Sequence, residues 1–256
     1  MEAVDPPLLW LTHDSRSSAY TDQGSGRPIV TISGYPGSPR DFRYLGPRLT
    51  PHARVIRSAL PGQGQTPAES GGTTLDARAA YIEGLLEALE LEDVVLVGHS
   101  MGGGIAQAVA ARSERVTALA LLASVGIRRH QGMRWTHPAT LPLVRSDRAW
   151  VFTEPLIYRA YRALGFPRSI DRGAMRNGLI SALQLDFDAL GALPEQVRCP
   201  TLVAWTEDDA LVEPAISREL ADKLPDGPRL AFPTGGHALQ KTRAEEIAEG
   251  IRALMA

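Results

Sequence analysis

The residues best suited to chemistry in this chain surround Ser100. A short apolar run over residues 94–97 leads into Gly98-His99-Ser100-Met101-Gly102, and a helix-like pattern follows. A serine at a strand-to-helix junction, with glycines two positions before and after it, is typical of a nucleophile elbow, whose turn is too tight for larger flanking residues. The alternative is a glycine-rich turn that binds phosphate at the helix N-terminus. The flanking strand and helix favour the elbow, so Ser100 is predicted to be a nucleophile and His99 a packing residue.

A serine hydroxyl needs a base to take its proton, and His237 is the histidine best placed for that role. It follows the last strand-like segment and precedes the last helix-like one. Loops at the carboxyl ends of parallel strands are where such sheets build their sites. The base needs an acid to orient it, and the acids Glu207, Asp208 and Asp209 follow another strand-like segment. A solvated acidic turn is the alternative, but the chain order serine, acid, histidine matches one known arrangement of a catalytic triad.

Strand-like and helix-like segments alternate along most of the chain. The strand-like segments are residues 28–33, 54–59, 94–97, 116–122, 201–205 and 229–232, and the helix-like segments include 41–49, 73–89, 214–224 and 244–254. This alternation predicts an α/β fold with a mostly parallel sheet and helices on both faces.

Residues 125–195 break the alternation. They contain helix-like pieces at 154–163 and 173–185 and no convincing strand. Ordinary connections in such folds take about two to six residues, so this segment is too long to be a plain connection. We therefore expect a helical insertion at 125–195 that covers Ser100 as a lid, and a core formed by residues 1–124 and 196–256.

Five segments, taken in order, resemble the α/β-hydrolase fold superfamily and its serine-nucleophile, esterase- or lactonase-like branch. They read PIVTISGYPGSPRDF, ALPGQGQT, VVLVGHSMGGG, PTLVAWTEDDALV and GGHALQKTRAEEI. The resemblance covers nearly the whole chain and implies that the insertion is the helical cap. It assigns the acid to Asp209, and it implies an oxyanion hole formed by the backbone N–H groups of Tyr35 and Met101.

The chain departs from the family pattern at three positions near the expected site. Ser33 stands where the family usually has histidine, Gln63 replaces the histidine of Pro-Gly-His-Gly, and Thr206 replaces a glycine in the acid motif. None of these changes removes a predicted catalytic group.

The predicted reaction is hydrolysis of a small or medium carboxylic ester, or of a related lactone, thioester or activated amide, through an acyl-enzyme. Haloalkane dehalogenases and epoxide hydrolases of this superfamily use an aspartate nucleophile, which Ser100 argues against. Three alternatives stay open: a carbon–carbon bond hydrolase, a perhydrolase on the same triad, and a ligand-sensing, hydrolase-like receptor with little turnover.

The insertion is unusually rich in arginine. Residues 126–195 hold ten arginines, no lysine and six acids, which gives a net charge of +4. These arginines are either a solvated surface or a site for an anionic substrate or an acidic carrier protein. Five aromatic residues of the segment either form its core or line an acyl pocket: Trp135, Trp150, Phe152, Tyr158 and Tyr161.

The overall composition is typical of a soluble globular protein, and the predicted reaction requires no cofactor. A net charge of −2 gives no case for a nucleic-acid partner. No apolar run reaches the roughly 20 residues of a membrane span, and the N-terminus lacks a signal-peptide pattern, so we expect a cytoplasmic protein. The lone Cys199 is expected to be structural, and no histidine spacing suggests a metal.

Overall fold

The computed structural model describes residues 5–13, 16–134, 136–164, 166 and 168–256. Its strands form one eight-stranded sheet. They are β1 (Leu9–His13), β2 (Arg16–Gln23), β3 (Pro28–Ile32), β4 (Arg54–Ser58), β5 (Val94–His99), β6 (Val116–Leu122), β7 (Thr201–Thr206) and β8 (Arg229–Phe232).

The strand order is β1-β2-β4-β3-β5-β6-β7-β8. All pairings from β4 to β8 are parallel, which confirms the predicted mostly parallel sheet. β1 and β2 add an antiparallel ribbon at one edge, which the sequence pattern did not predict. β2 reads RSSAYTDQ, and its mixture of polar residues around two apolar ones lacks the alternation that marks a strand.

Ten α-helices accompany the sheet in the described residues. They are α1 (Gly46–Leu49), α2 (Leu75–Ala88), α3 (Met101–Ala110), α4 (Leu141–Arg145), α5 (Asp147–Ala163), α6 (Arg172–Leu183), α7 (Phe187–Ala192), α8 (Pro214–Lys223), α9 (Leu239–Thr242) and α10 (Ala244–Met255). The predicted helix at 41–49 was wrong in detail, because the structure has a 3-10 turn at Pro39–Phe42 before the short α1.

Helices cover both faces of the sheet, as predicted. One hydrophobic cluster packs α2, α3 and α8 against the sheet through Ile82, Ile105 and Leu220. The opposite cluster holds α1 and α10 through side chains such as Leu49 and Ile247. Burial of each such side chain contributes about 1.5–3 kcal/mol. All six residues of the central β5 are buried, so the strand that leads into Ser100 lies within the core of the fold.

The described residues between β6 and β7 form helices and turns, without a strand. Part of this segment has a small core of its own, in which Val144, Leu179 and Leu183 are buried. α5 begins at Asp147, seven residues before the predicted start, and Ser146 caps it by accepting from the Ala149 N–H. Pro155, a residue typical of a first helical turn, lies inside this helix. We refer to residues 125–195 as the cap segment.

The described residues bear on two kinds of partner, a membrane and a metal ion. No helix there is both long and apolar enough to cross a membrane. No group of three or more histidine, cysteine, aspartate or glutamate side chains there could hold a metal ion.

Candidate active site

The turn between β5 and α3 holds Ser100 in a strained backbone conformation. Its φ is 55° and its ψ is −123°, a region that non-glycine residues rarely occupy. A Cβ on Gly98 would lie 2.5 Å from the Gly102 carbonyl oxygen, and one on Gly102 would lie 2.3 Å from the Ile32 carbonyl oxygen. Only glycine fits at both positions, so the sequence pattern and the observed turn have the same steric cause.

Ser100, His237 and Asp209 form a continuous hydrogen-bonded chain. The Ser100 Oγ lies 2.8 Å from His237 Nε2, and His237 Nδ1 lies 2.9 Å from Asp209 Oδ2. The three groups come from the ends of β5, β7 and β8, which meet at the carboxyl edge of the parallel sheet. Their order and separations suit transfer of the hydroxyl proton to the imidazole.

Asp209 is buried and fully hydrogen-bonded. Its second oxygen, Oδ1, accepts from the N–H groups of Leu211 at 2.8 Å and Val212 at 3.0 Å. Burial alone would raise the pKa of Asp209, but the hydrogen bond from His237, its positive charge when protonated and the two backbone donors together lower that pKa. The carboxylate therefore stays charged beside the histidine.

Asp208 occupies a different position from its neighbour. Its carboxylate accepts from the backbone N–H groups of Gly235 at 3.2 Å and Gly236 at 2.8 Å. These bonds lower the pKa of Asp208 and hold the loop that carries His237. One acid thus contacts the imidazole and the other contacts the backbone of the same loop.

The loop after β3 lies directly against the serine. A Cβ on Gly34 would come within 2.8 Å of the Ser100 Cβ, so this loop needs glycine to approach so closely. Tyr35 and Met101 line the same cavity as Ser100. Met101 is the first residue of α3, where backbone N–H groups lack partners within the helix. Both predicted oxyanion donors therefore belong to residues beside the nucleophile.

The three departures from the family pattern all make contacts that support these loops. Ser33 Oγ donates to Gln63 Oε1 at 2.9 Å, and Gln63 Nε2 donates to the Gly34 carbonyl at 2.7 Å. Thr206 Oγ1 donates to the Gly236 carbonyl at 3.1 Å. Two of the substituted residues thus contact each other, and the third ties β7 to the histidine loop.

His99 does more than the packing that the sequence predicts. Its Nε2 donates to the His237 carbonyl at 2.8 Å, and the two imidazole rings lie 4.9 Å apart. Burial, followed by the nearby His237, lowers the pKa of His99 to about 3. His99 is therefore neutral, and it holds the backbone of the loop that carries His237 without adding a positive charge beside it. A hydrogen bond to a residue 138 positions away leaves no signal in a local sequence pattern.

A cavity of about 930 Å³ opens above Ser100 and is lined by both the core and the cap segment. Apolar residues supply most of the cap side of this lining: Met133, Leu143, Val144, Leu156, Ile157, Tyr161, Leu164, Phe166, Ile170, Leu179 and Leu183. The lining also contains the Lys241 ammonium, which pairs with Asp41 at 2.6 Å. Side chains of the cap segment therefore form part of the wall of the cavity that contains Ser100.

Within the described part of the chain, none of the ten cap arginines lines this cavity. Several have partners elsewhere: Arg128 pairs with Glu219, Arg172 with Glu154 and Arg176 with Asp147, while Arg145 donates to Gln184. Of the cap aromatics, Tyr161 lines the cavity, Trp150 packs against the small cap core and Phe152 is exposed. The Tyr158 hydroxyl donates to the Arg168 carbonyl, and Trp135 lies outside the described residues.

Comparison with known proteins identifies the class. The family model for the α/β hydrolase fold matches residues 27–244, so this chain belongs to the α/β hydrolase family. The chain is 31% identical to a 2-hydroxymuconate semialdehyde hydrolase of Pseudomonas putida, over 92% of this chain and 89% of the relative. It is 26% identical to the dihydrolipoyllysine-residue acetyltransferase component of an acetoin cleaving system from the same species, and there it spans only 64% of the relative's length.

A solved structure with the same architecture is the enol-lactonase from Burkholderia xenovorans LB400. It superposes with a TM-score of 0.77 at 21% sequence identity, and the match covers 96% of this chain and 99% of the lactonase. At this identity the likeness concerns the fold.

Proposed function

We propose that this protein is a serine hydrolase that cleaves neutral carboxylic esters through an acyl-enzyme. The observation that carries the proposal is the position of His237, which contacts both the Ser100 hydroxyl and the Asp209 carboxylate. This is the arrangement that turns a weakly nucleophilic hydroxyl into an acyl acceptor.

In the proposed mechanism, Ser100 Oγ attacks the ester carbonyl carbon while His237 Nε2 takes its proton. The resulting oxyanion is stabilised by the N–H groups of Tyr35 and Met101. His237 then gives the proton to the leaving alcohol, and the acyl group stays on Ser100. Water, deprotonated by His237, then attacks the acyl carbon. The bond from that carbon to Ser100 Oγ breaks, Oγ takes the proton back from His237, and the carboxylic acid is released. Asp209 keeps Nδ1 protonated and stabilises the imidazolium in each step.

The charge distribution of the cavity supports a neutral substrate. A buried substrate carboxylate needs a cationic partner, and the arginines of the cap segment lie outside the cavity lining. Lys241 is already paired with Asp41. The apolar lining from the cap segment instead suits a hydrocarbon acyl chain. In this account the cap segment acts as a lid that excludes water and sets the range of acyl groups.

A carbon–carbon bond hydrolase on the same three residues is the second candidate. It is favoured by the 2-hydroxymuconate semialdehyde hydrolase relative, whose name specifies a carboxylate substrate. The two candidates differ in the charge that the cavity must accept, and that difference can be measured.

The test compares two esters that differ by one charge, ethyl hexanoate and monoethyl adipate, together with 2-hydroxymuconate semialdehyde. We expect kcat/KM for the neutral ester to exceed that for the charged one at least tenfold, and Ser100→Ala to lose activity on both. Faster turnover of the semialdehyde than of either ester would replace the proposal with the second candidate. No turnover of any acyl compound would favour a ligand-sensing protein.

A further inference from the structure

Helix α5 of the cap segment exposes large apolar side chains. Val151 is 68% exposed, Phe152 84% and Leu156 72%. Their spacing places them on one side of the helix. A side chain as exposed as Phe152 protrudes from the surface without packing against its neighbours. Contiguous apolar surface of this kind marks an interaction site on a soluble protein.

The same side of α5 carries unpaired positive charge. Arg148 and Arg159 are exposed, and their spacing from Phe152 and Leu156 puts them on this side. Neither guanidinium makes a hydrogen bond or ion pair with the described residues. The acids of the helix are engaged elsewhere, because Asp147 pairs with Arg176 and Glu154 with Arg172. We call Arg148, Val151, Phe152, Leu156 and Arg159 the α5 face.

The α5 face adjoins the catalytic cavity. Leu156 belongs to the face and also lines the cavity. Leu143 and Leu164 are likewise both exposed and part of the cavity lining. Apolar surface therefore runs from the outside of the cap segment to the space above Ser100.

We propose that the α5 face docks on an anionic lipid surface. Protruding apolar side chains insert at the boundary between headgroups and acyl chains, and arginines beside them bind anionic headgroups. A lipid surface fits a protruding face because it deforms around the inserted side chains. Docking would bring the cavity mouth to the membrane, where apolar esters concentrate. The delivery of esters to the cavity rests on the proposed function, whereas the binding of the α5 face to lipid does not.

The experiment uses the full chain with Ser100→Ala, so that no lipid is hydrolysed. Binding to sedimented vesicles of phosphatidylglycerol and phosphatidylcholine is compared with binding to phosphatidylcholine alone. We expect binding to the anionic vesicles to be at least tenfold tighter. Removing one arginine from the face, as in Arg148→Gln or Arg159→Gln, is expected to weaken that binding about fivefold. Arg218→Gln removes an equal charge from an arginine paired with Glu207 and should have little effect.

The apolar part of the face is tested with Val151→Ser combined with Phe152→Ser. Neither residue lines the cavity, so turnover of a soluble ester by the otherwise wild-type enzyme should be unchanged, while vesicle binding falls at least tenfold. Trp10→Ser is the matched control, because Trp10 is an exposed apolar residue on β1.

Three results would overturn the inference: equal affinity for both kinds of vesicle, binding unaffected by the double variant, or a dimer in solution that the double variant dissociates. The last result would make a second copy of the chain the occupant of the face. If the protein with an unaltered α5 face hydrolyses esters but does not bind anionic vesicles, docking alone is wrong. If it binds these vesicles but hydrolyses no ester, the proposed function alone is wrong.

Discussion

The loops at the carboxyl edge of the sheet and the helices of the cap segment are held in different ways. At the sheet edge, hydrogen bonds join residues far apart in sequence, such as Ser33 to Gln63 and His99 to His237. Many contacts in the cap segment are local, as when Arg129 donates to the Met133 carbonyl and Arg162 to the Phe166 carbonyl. The small cap core buries only a few side chains.

This contrast indicates that the two regions have different roles. Catalysis requires groups held within a fraction of an ångström, which the cross-linked loops supply. Substrate selection requires a surface that can change without disturbing those groups, and a helical segment with its own small core meets that need. Changes at the sheet edge should therefore act on kcat for every ester, and changes in the cap segment should act on the choice among esters.

The largest expected effect is the difference in kcat between substitutions of the two adjacent acids, Asp209 and Asp208. Asp209→Asn leaves His237 with the wrong tautomer, and we expect kcat to fall by about 10⁴. Asp208→Asn is the matched control, since it loses part of the hydrogen bonding to Gly235 and Gly236, and a loss of about tenfold is expected. Steady-state kinetics on one neutral ester measures both. The reverse order would assign the orienting role to Asp208.

The second test uses the hydrogen-bonded pair Ser33 and Gln63, which supports the loop after β3. Gln63→Ala removes the donor to the Gly34 carbonyl and the partner of Ser33. Because the loop then loses its fixed position, kcat should fall by about tenfold to a hundredfold, with KM changed less than about threefold. Gln196→Ala is a suitable control, since among the described residues the Gln196 side chain makes a hydrogen bond only to the nearby Ala192 carbonyl. A large rise in KM with kcat intact would show that the loop binds substrate without acting on the transition state.

A substitution in the cap segment should change selectivity while leaving the chemistry intact. Ile157 lines the cavity, and Ile157→Trp would fill part of it. We expect kcat/KM for p-nitrophenyl octanoate to fall about tenfold, with the acetate ester affected less than threefold. Val151→Trp serves as the control, because Val151 lies on the same helix and its side chain is exposed to solvent. An equal loss on both esters would mean that the cap segment contributes to catalysis itself.

The sequence predicted the parts of this molecule that follow from local steric rules. The elbow glycines around Ser100 and the position of His237 after a strand could be read directly, and the family resemblance separated Asp209 from Asp208. The hydrogen bonds between Ser33 and Gln63, from His99 to His237 and from Thr206 to Gly236 could not be predicted. Each joins segments that become neighbours only in the folded protein. β2 was missed for a related reason, since it is defined by pairing with β4 and not by its own alternation.

The last expected effect is on stability and not on activity, and it concerns the pH dependence of unfolding. The pKa of His99 is about 3 in the folded protein and 6.5 when exposed. The stabilisation from keeping His99 neutral is therefore fully present above pH 6.5 and is lost as the pH falls toward 3. Within this range one such group contributes a slope of about 1.4 kcal/mol per pH unit. In urea unfolding between pH 4 and 6, we expect His99→Gln to reduce the slope of the free energy of unfolding against pH by that amount. An unchanged slope would mean that His99 is not buried as a neutral group.

The central claim is that Ser100 is the nucleophile activated by His237, and covalent trapping tests it most directly. The enzyme is treated with a p-nitrophenyl alkylphosphonate, whose phosphorus accepts the nucleophile and stays bound, and the adduct is located by peptide mass spectrometry. We predict one adduct per chain, on Ser100, with loss of ester hydrolysis in step with labelling and with labelling slowed strongly in His237→Ala. An adduct on another residue, or hydrolysis that continues in the fully labelled protein, would contradict the account.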